Sequence, residues 1–276
     1  MELYQSILLG ILQGITEFLP VSSSGHLFLG QYFFGISEPS LSFSIALHFG
    51  TLLAVFVVFF QDIMLMIKSC FKLFASLILR KNTKELLQND VNFKMACLII
   101  IGSVPTAIIG LLIEKYGKVL FSSLTIVSLM LFTTGIILWI SKYFSKPKAS
   151  IKEFSFKWAF IIGISQGIAA IPGISRSGTT VVTGLFLGIE RELAARFSFL
   201  LSIPAILGAT LLNIKDALET SDLNLNYATI YGTIAAFIIG YISLRILMRI
   251  VKGGRFYLFA PYCWILGLSA VIISLV

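Results

Sequence analysis

The sequence predicts an all-α polytopic membrane protein: an inverted-topology repeat of six transmembrane helices and two re-entrant helix–loop–helix hairpins. Three observations predict it. The first is composition. Of 276 residues, 57% are hydrophobic and 12% charged, and the mean hydropathy is +0.96. A soluble domain carries about 25% charged residues, so a soluble enzyme, a disordered chain and a disulfide-rich secreted module are excluded. Long continuous apolar stretches favour helices over the short alternating segments of a membrane barrel. The second observation is that two apolar regions, 3–34 and 157–189, are each broken midway by Pro, Gly and Ser. The third is that these two broken regions match each other.

In chain order, the first broken region contains QGITEFLPVSSSGH. Proline interrupts a helix, and irregular backbone at membrane depth survives only inside protein or against a wet cavity. A re-entrant hairpin follows from these two constraints. The N-terminus has no Lys/Arg-rich start and its apolar run contains Glu17, so it reads as mature chain and not as a signal peptide. Spans are expected at 41–60, 93–113 and 120–141, each near the 20 residues that about 30 Å of hydrocarbon requires. Residues 62–79 carry Lys68 and Lys72 and read as an interfacial helix. The second broken region contains QGIAAIPGISRSGTT, and spans follow at 195–213, 226–250 and 256–275. Pro105, Pro204 and Pro261 mark kinks or helix ends, and Trp139, Trp158 and Trp264 suit interfacial anchors. Cys70, Cys97 and Cys263 are isolated, so neither a disulfide framework nor a zinc site is indicated.

The net charge of +8 has a direction. With both hairpins re-entrant, loops 61–94, 142–157, 190–196 and 245–255 fall on one side and carry +11 in total. Residues 1–40, 114–118 and 214–222 fall on the other and carry −4; Arg176 supplies the remaining +1. Such a bias follows the positive-inside rule. It places both termini outside the cytoplasm of a plasma membrane, and it means that the surplus sets orientation and does not bind nucleic acid.

At an ungapped offset of 153, Gly10, Gln13, Gly14, Ile15, Ser22, Ser24 and Gly25 recur as Gly163, Gln166, Gly167, Ile168, Ser175, Ser177 and Gly178. These identities, within sixteen positions, exceed what shared hydrophobicity gives. The chain is thus one integral membrane domain, 1–276, with internal repeats near 1–141 and 157–276. Each repeat is a hairpin plus three spans. Three is odd, so the second repeat is inverted, and the hairpin tips meet near the midplane.

Each tip reads as a loop entering a helix N-terminus, where Ser and Thr cap well and an anion is welcome. Arg176 adds a planar fork suited to phosphate, and the expected ligand is a phosphate. Glu17 shares a helix face with Gln13. A charge there costs on the order of 2.5–3.5 kcal/mol, so it needs Arg176, a divalent cation or an activated water as partner. His26 is a candidate acid or base, and Ser23 a candidate nucleophile if a base lies in reach. His48 lies in a span without a motif and reads as a packing histidine.

QGITEFLPVSSSGH and PGISRSGTT resemble the two signature motifs of the bacterial undecaprenyl-pyrophosphate phosphatases of the bacitracin-resistance type. The resemblance covers the whole chain in length, order and spacing. It implies hydrolysis of undecaprenyl diphosphate to undecaprenyl phosphate and phosphate, recycling the lipid carrier of peptidoglycan synthesis. It also implies a divalent cation, Mg²⁺ or Ca²⁺, and a site open to the extracytoplasmic side. The implied catalytic residues are Glu17, Ser23, His26 and Arg176, with Glu17 also holding the metal. Phosphate binding falls to Gln13, Ser22, Ser24, Gly173, Ser175, Ser177 and Thr180, beside Pro172. Many members have Glu where this chain has Gln13, so Glu17 carries the acid–base or metal role alone and Gln13 binds through its amide. The attacking group is Ser23 or a water, with His26 or Glu17 as base. The expected partners are the polyprenyl diphosphate and membrane lipids, and a homodimer is compatible with this reading. The rival reading is a lipid-phosphate transporter or flippase using the same midplane anion site.

Overall fold

A computed structural model describes residues 1–36, 41–78, 89–117, 123–144, 149–219 and 226–275. The described residues form eleven α-helices and no strand. They are α1 (Leu3–Thr16), α2 (Ser23–Phe33), α3 (Leu41–Val58), α4 (Phe60–Ile78), α5 (Val91–Tyr116) and α6 (Leu124–Ile140). These are followed by α7 (Phe156–Ile168), α8 (Arg176–Phe186), α9 (Arg191–Glu219), α10 (Tyr227–Lys252) and α11 (Ala260–Leu275). Parts of the basic loops that orient the chain, 79–88 and 145–148, lie outside the described residues, as do 118–122 at the start of the third expected span.

Among the described residues five helices are long and apolar enough to cross a membrane: α3, α5, α6 with its 3₁₀ extension to Tyr143, α9 over Arg191–Lys215, and α10. The sixth expected span, 256–275, does not reach that length. It divides into a 3₁₀ turn, Phe256–Phe259, and the 16-residue α11. Gly253 and Gly254 precede it, Gly254 at a φ of +69°, and Pro261 sits in the first turn of α11, so the helical run starts late. Pro105 and Pro204 lie inside α5 and α9.

Helix starts follow the local chemistry. Asp90 caps α5 through the backbone N–H groups of Asn92 and Phe93. Ser123, Ser155 and Asn226 cap α6, α7 and α10. Helix α4 buries only Ser69 among its described side chains and is tied to α9 by an Asp62–Arg196 ion pair. The main core gathers large side chains from both halves, with Phe154 and Phe197 edge-to-face at 4.7 Å and Phe18 against Phe199.

The helices pair across the halves. α1 packs on α10, and α7 packs on α5; α3 packs on α10, and α9 on α5; α6 packs on α11, and α3 on α9. Glycine permits the closest of these approaches. A Cβ on Gly10 would collide with the Gly232 carbonyl of α10, and one on Gly163 would collide with the Gly102 carbonyl of α5. Gly10 and Gly163 are the positions related by the 153-residue offset. The same swap recurs at the turns. The Thr134 hydroxyl of α6 donates to the Gly173 carbonyl, and the Cys263 thiol of α11 donates to the carbonyl of Pro20, the counterpart of Gly173.

Candidate active site

The site is built where α1 runs into α2 and α7 into α8. Helix α1 stops at Thr16, and Glu17 closes it by donating its backbone N–H to the Gln13 carbonyl. The chain turns through Pro20 and re-enters a helix at Ser23, with Ser22 as N-cap. The second turn does the same: α7 ends at Ile168 and α8 starts at Arg176 with Ser175 as N-cap. Ser22 Oγ accepts from Gly25 N at 3.4 Å and Ser175 Oγ from Gly178 N at 3.1 Å. Ser22 and Ser24 hydroxyls meet at 3.3 Å, and so do Ser175 and Ser177. The expected serine caps are therefore present at both tips, at offset-related positions.

The tips touch. Gly173 N donates to Ser24 Oγ at 3.5 Å, and the Arg176 guanidinium pairs with Glu17 Oε1. Glu17 is 6% exposed, buried between the tips. Its other oxygen, Oε2, accepts from Ser23 Oγ at 2.6 Å and from Gln13 Nε2 at 2.9 Å. A carboxylate so deep persists because Arg176 balances its charge and the Ser23 and Gln13 donors add hydrogen bonds. Gln13 Oε1 is buried without a hydrogen-bond partner, and its counterpart Gln166 Oε1 is in the same state.

The second tip is held from α6. Thr134 Oγ1 donates to Gly173 O at 2.9 Å and accepts from Ser175 N at 3.0 Å. Gly173 has a φ of +94°, and a Cβ there would collide with the Val127 carbonyl, so glycine is required. The first tip carries Ser22 at a φ of 69°, the sole non-glycine residue at positive φ among the described residues. His26 braces it, since both its backbone N–H and its ring Nδ1 bond to Ser22 O, at 3.2 and 2.8 Å.

His26 and Thr180 sit differently from the expectation. A carbonyl only accepts, so Nδ1 of His26 carries the proton, and Nε2 accepts from the Tyr262 hydroxyl at 2.7 Å. Both ring nitrogens thus serve the turn, and neither bonds to Ser23 or Glu17. Thr180 is 1% exposed and bonds to Arg176 O at 2.8 Å and to the Ser198 hydroxyl. Its hydroxyl fixes α8 on α9. Two residues that sequence reasoning did not assign belong to the site. His48 of α3 brings Nε2 to 3.9 Å from Glu17 Oε2, with Nδ1 bonded to Ser44 O at 2.9 Å. The rule that ionisable groups inside spans are functional by default would have found it. Tyr262 had no such signal; it reaches His26 from 236 residues away.

As donors for a divalent cation the residues are all oxygen or imidazole: Glu17 Oε2, the unpartnered Gln13 Oε1 and the Ser23 hydroxyl, with His48 adjacent. Among the described residues there is no cluster of three or more His, Cys, Asp or Glu. This set fits a hard cation that keeps phosphate oxygens as its remaining ligands, and does not form a closed protein cage.

Comparison with known proteins shows the family. Residues 6–269 match the family described as bacitracin resistance protein BacA. The undecaprenyl-diphosphatase of Desulforapulum autotrophicum is 52% identical over 276 residues, covering 100% of both chains. That of Desulfosudis oleivorans is 50% identical over 271 residues, covering 97% of each chain, and that of Methanosphaera stadtmanae is 41% identical over 280 aligned positions, covering 100% of this chain and 99% of its own. The five apolar spans and a match across nearly the whole length lead to one conclusion: the chain is a multi-pass membrane protein and belongs to the bacitracin resistance protein BacA family.

Proposed function

We infer that this chain is an undecaprenyl-diphosphatase that works at the Glu17–Arg176 centre. Full-length relatives at 41–52% identity carry that name. The observation that carries the placement is a buried carboxylate paired to an arginine 159 residues away, flanked by two serine-capped helix N-termini. Phosphoryl transfer asks a protein chiefly to position the group and to stabilise charge. The N-termini of α2 and α8 supply backbone N–H groups and partial positive charge for the diphosphate. Arg176 is 20% exposed at its side chain, so its fork can reach phosphate oxygens while it stays beside Glu17.

Ser23 is the nucleophile in this reading. Its hydroxyl already points its proton at Glu17 Oε2 across 2.6 Å. Oγ attacks the terminal phosphorus, the bond to the bridging oxygen breaks, undecaprenyl phosphate leaves, and the proton passes to Glu17. Water then attacks the phosphoserine in line, the bond from phosphorus to Ser23 Oγ breaks as Oγ takes its proton back from Glu17, and the water's protons leave on the phosphate. Glu17 is the base; His26 holds the tip, because its ring nitrogens are committed to Ser22 O and Tyr262. A divalent cation, when bound, neutralises charge on the phosphate oxygens; Glu17 and Gln13 Oε1 would hold it on the protein side. Ser22, Ser24, Ser175 and Ser177 shape the two tips around the phosphates, and the prenyl tail lies along the apolar helices. All these side chains come from one chain, so a second copy is not needed to complete the site.

The inverted repeat and the re-entrant hairpins belong to the same proposal. The cross-paired helices, the exchanged glycine contacts and the matched serine caps support the repeat. Helices α1 and α2, of 14 and 11 residues, are too short to span about 30 Å at 1.5 Å per residue, which supports hairpins returning to one side. The loop charge bias supports an extracytoplasmic site and termini. The test is phosphate release from undecaprenyl diphosphate by purified protein in detergent, with and without chelator. Hydrolysis needs no bilayer, whereas a flippase does. Release that chelator abolishes is the expected result; no release from folded protein overturns the reading.

A further inference from the structure

We propose that His48 is a ligand of the divalent cation, sharing it with Glu17 Oε2. The proposal rests on the reading that a cation works beside Glu17. His48 Nε2 stands 3.9 Å from that oxygen, beyond hydrogen-bond length but within the span of two donors on one ion. Metal–nitrogen and metal–oxygen bonds are about 2.0–2.2 Å each, so a shared ion holds its donors about 3 Å apart when adjacent and up to about 4.4 Å apart when opposite.

The tautomer supports the same role. Nδ1 lies 2.9 Å from the Ser44 carbonyl, one turn back on α3. Since the carbonyl can only accept, Nδ1 carries a proton, and in the neutral ring the Nε2 lone pair faces the side of Glu17. A metal-ligating histidine almost always donates its second ring N–H to a carbonyl or carboxylate, which fixes the ring. A packing histidine has no need of such a lone pair beside a buried carboxylate.

A third donor is available. Gln13 is 0% exposed, and its Oε1 has no hydrogen-bond partner, although its Nε2 bonds to the same Glu17 oxygen. A buried amide oxygen without a partner keeps its desolvation cost, and a cation that takes it as a ligand removes that cost. The His48 side chain is 32% exposed and the Glu17 side chain 4%, so His48 forms the outer edge of the pair. Arg176 takes the opposite oxygen, Oε1, so the ion and the guanidinium divide the carboxylate between them and both can face the phosphates. A ring nitrogen also changes the preferred metal. It favours a first-row transition cation over Ca²⁺, which prefers an all-oxygen shell.

The test uses Mn²⁺ as a paramagnetic probe on the full chain in detergent, with methylenediphosphonate supplying phosphate oxygens. The wild type should show ¹⁴N modulation from a coordinated imidazole in electron spin-echo spectra. His48→Gln should still bind Mn²⁺ about tenfold or more weaker, the scale of losses at metal sites, and should lose the ¹⁴N signal. His26→Asn should keep it. In phosphate release, His48→Gln should lower the Mn²⁺-supported rate more than the Ca²⁺-supported rate, a change that lost stability alone does not produce. Bound Mn²⁺ without ¹⁴N modulation in the wild type, or modulation that survives in His48→Gln, overturns the role of His48 and leaves the cation reading standing. No Mn²⁺ binding at all overturns both.

Discussion

Replacing Ser23 by alanine separates two ways of cleaving the diphosphate. Ser23 Oγ lies 2.6 Å from Glu17 Oε2, the length of a charge-assisted O–H···O⁻ bond. If Ser23 only steadied Glu17 for a water nucleophile, the variant would lose that hydrogen bond, worth about 1.5–3 kcal/mol. At about 1.4 kcal/mol per factor of ten, this is a fall of about 10- to 150-fold. If Ser23 is the nucleophile, the covalent route disappears and kcat falls by about 10⁴-fold or more. Folding should change little, because Ser23 is only half-buried and Glu17 keeps Arg176 and Gln13. The assay pairs steady-state phosphate release with acid quenching on the millisecond scale. The wild type should yield an acid-stable phosphoserine at Ser23. A Ser23→Ala protein that keeps activity within 100-fold, together with a wild type that never carries the phosphate, would refute the nucleophile assignment.

Other expectations follow from particular contacts. Thr134→Val keeps shape but leaves Gly173 O and Ser175 N without their partner, so stability should fall by about 1–3 kcal/mol and KM should rise more than kcat falls; thermal unfolding and kinetics read both. Gly163→Ala and Gly10→Ala push a methyl into the Gly102 and Gly232 carbonyls and should each cost about 1–3 kcal/mol, whereas Gly110→Ala, which meets open space, should cost nothing. Asp90→Ala removes the cap of α5 and should cost about 1 kcal/mol near neutral pH. Slight burial opposes the Asp90 charge, but the Phe93 and Asn92 N–H groups, the Ser69 hydroxyl and Lys72 outweigh it and hold the carboxyl below its ordinary range. Its contribution is therefore present above the unfolded-state pKa and lost as pH falls through the lower folded-state value, so wild type and Asp90→Ala should converge in acid.

The parts of the site that were legible in the sequence are those governed by local rules. Ser22 and Ser175 precede helices and cap them, as short hydroxyl side chains do. Glu17 and Arg176 stood out because an apolar environment makes a lone charge expensive, and they find each other. His26, Thr180 and His48 were placed less well because each first bonds within its own helix, to Ser22 O, Arg176 O and Ser44 O. The direction of the remaining atom then depends on how helices cross, which a one-dimensional pattern does not encode. Tyr262 reaches His26, and Ser198 reaches Thr180, through such crossings. The spans were legible from apolar length, except the last, where Gly253, Gly254 and Pro261 delay the helix until Ala260.

The central claim is that the Glu17–Arg176 pair performs the hydrolysis. The most direct measurement is the initial rate of phosphate release from undecaprenyl diphosphate by Glu17→Gln and Arg176→Lys, each checked for folding by its thermal midpoint. Both should fall by about 10²-fold or more, the scale of losing a general base or a phosphate-binding group. Lysine should not rescue, since an ammonium lacks the planar fork that spans the carboxylate and the phosphate. A folded Glu17→Gln or Arg176→Lys protein that releases phosphate at the wild-type rate would contradict the account.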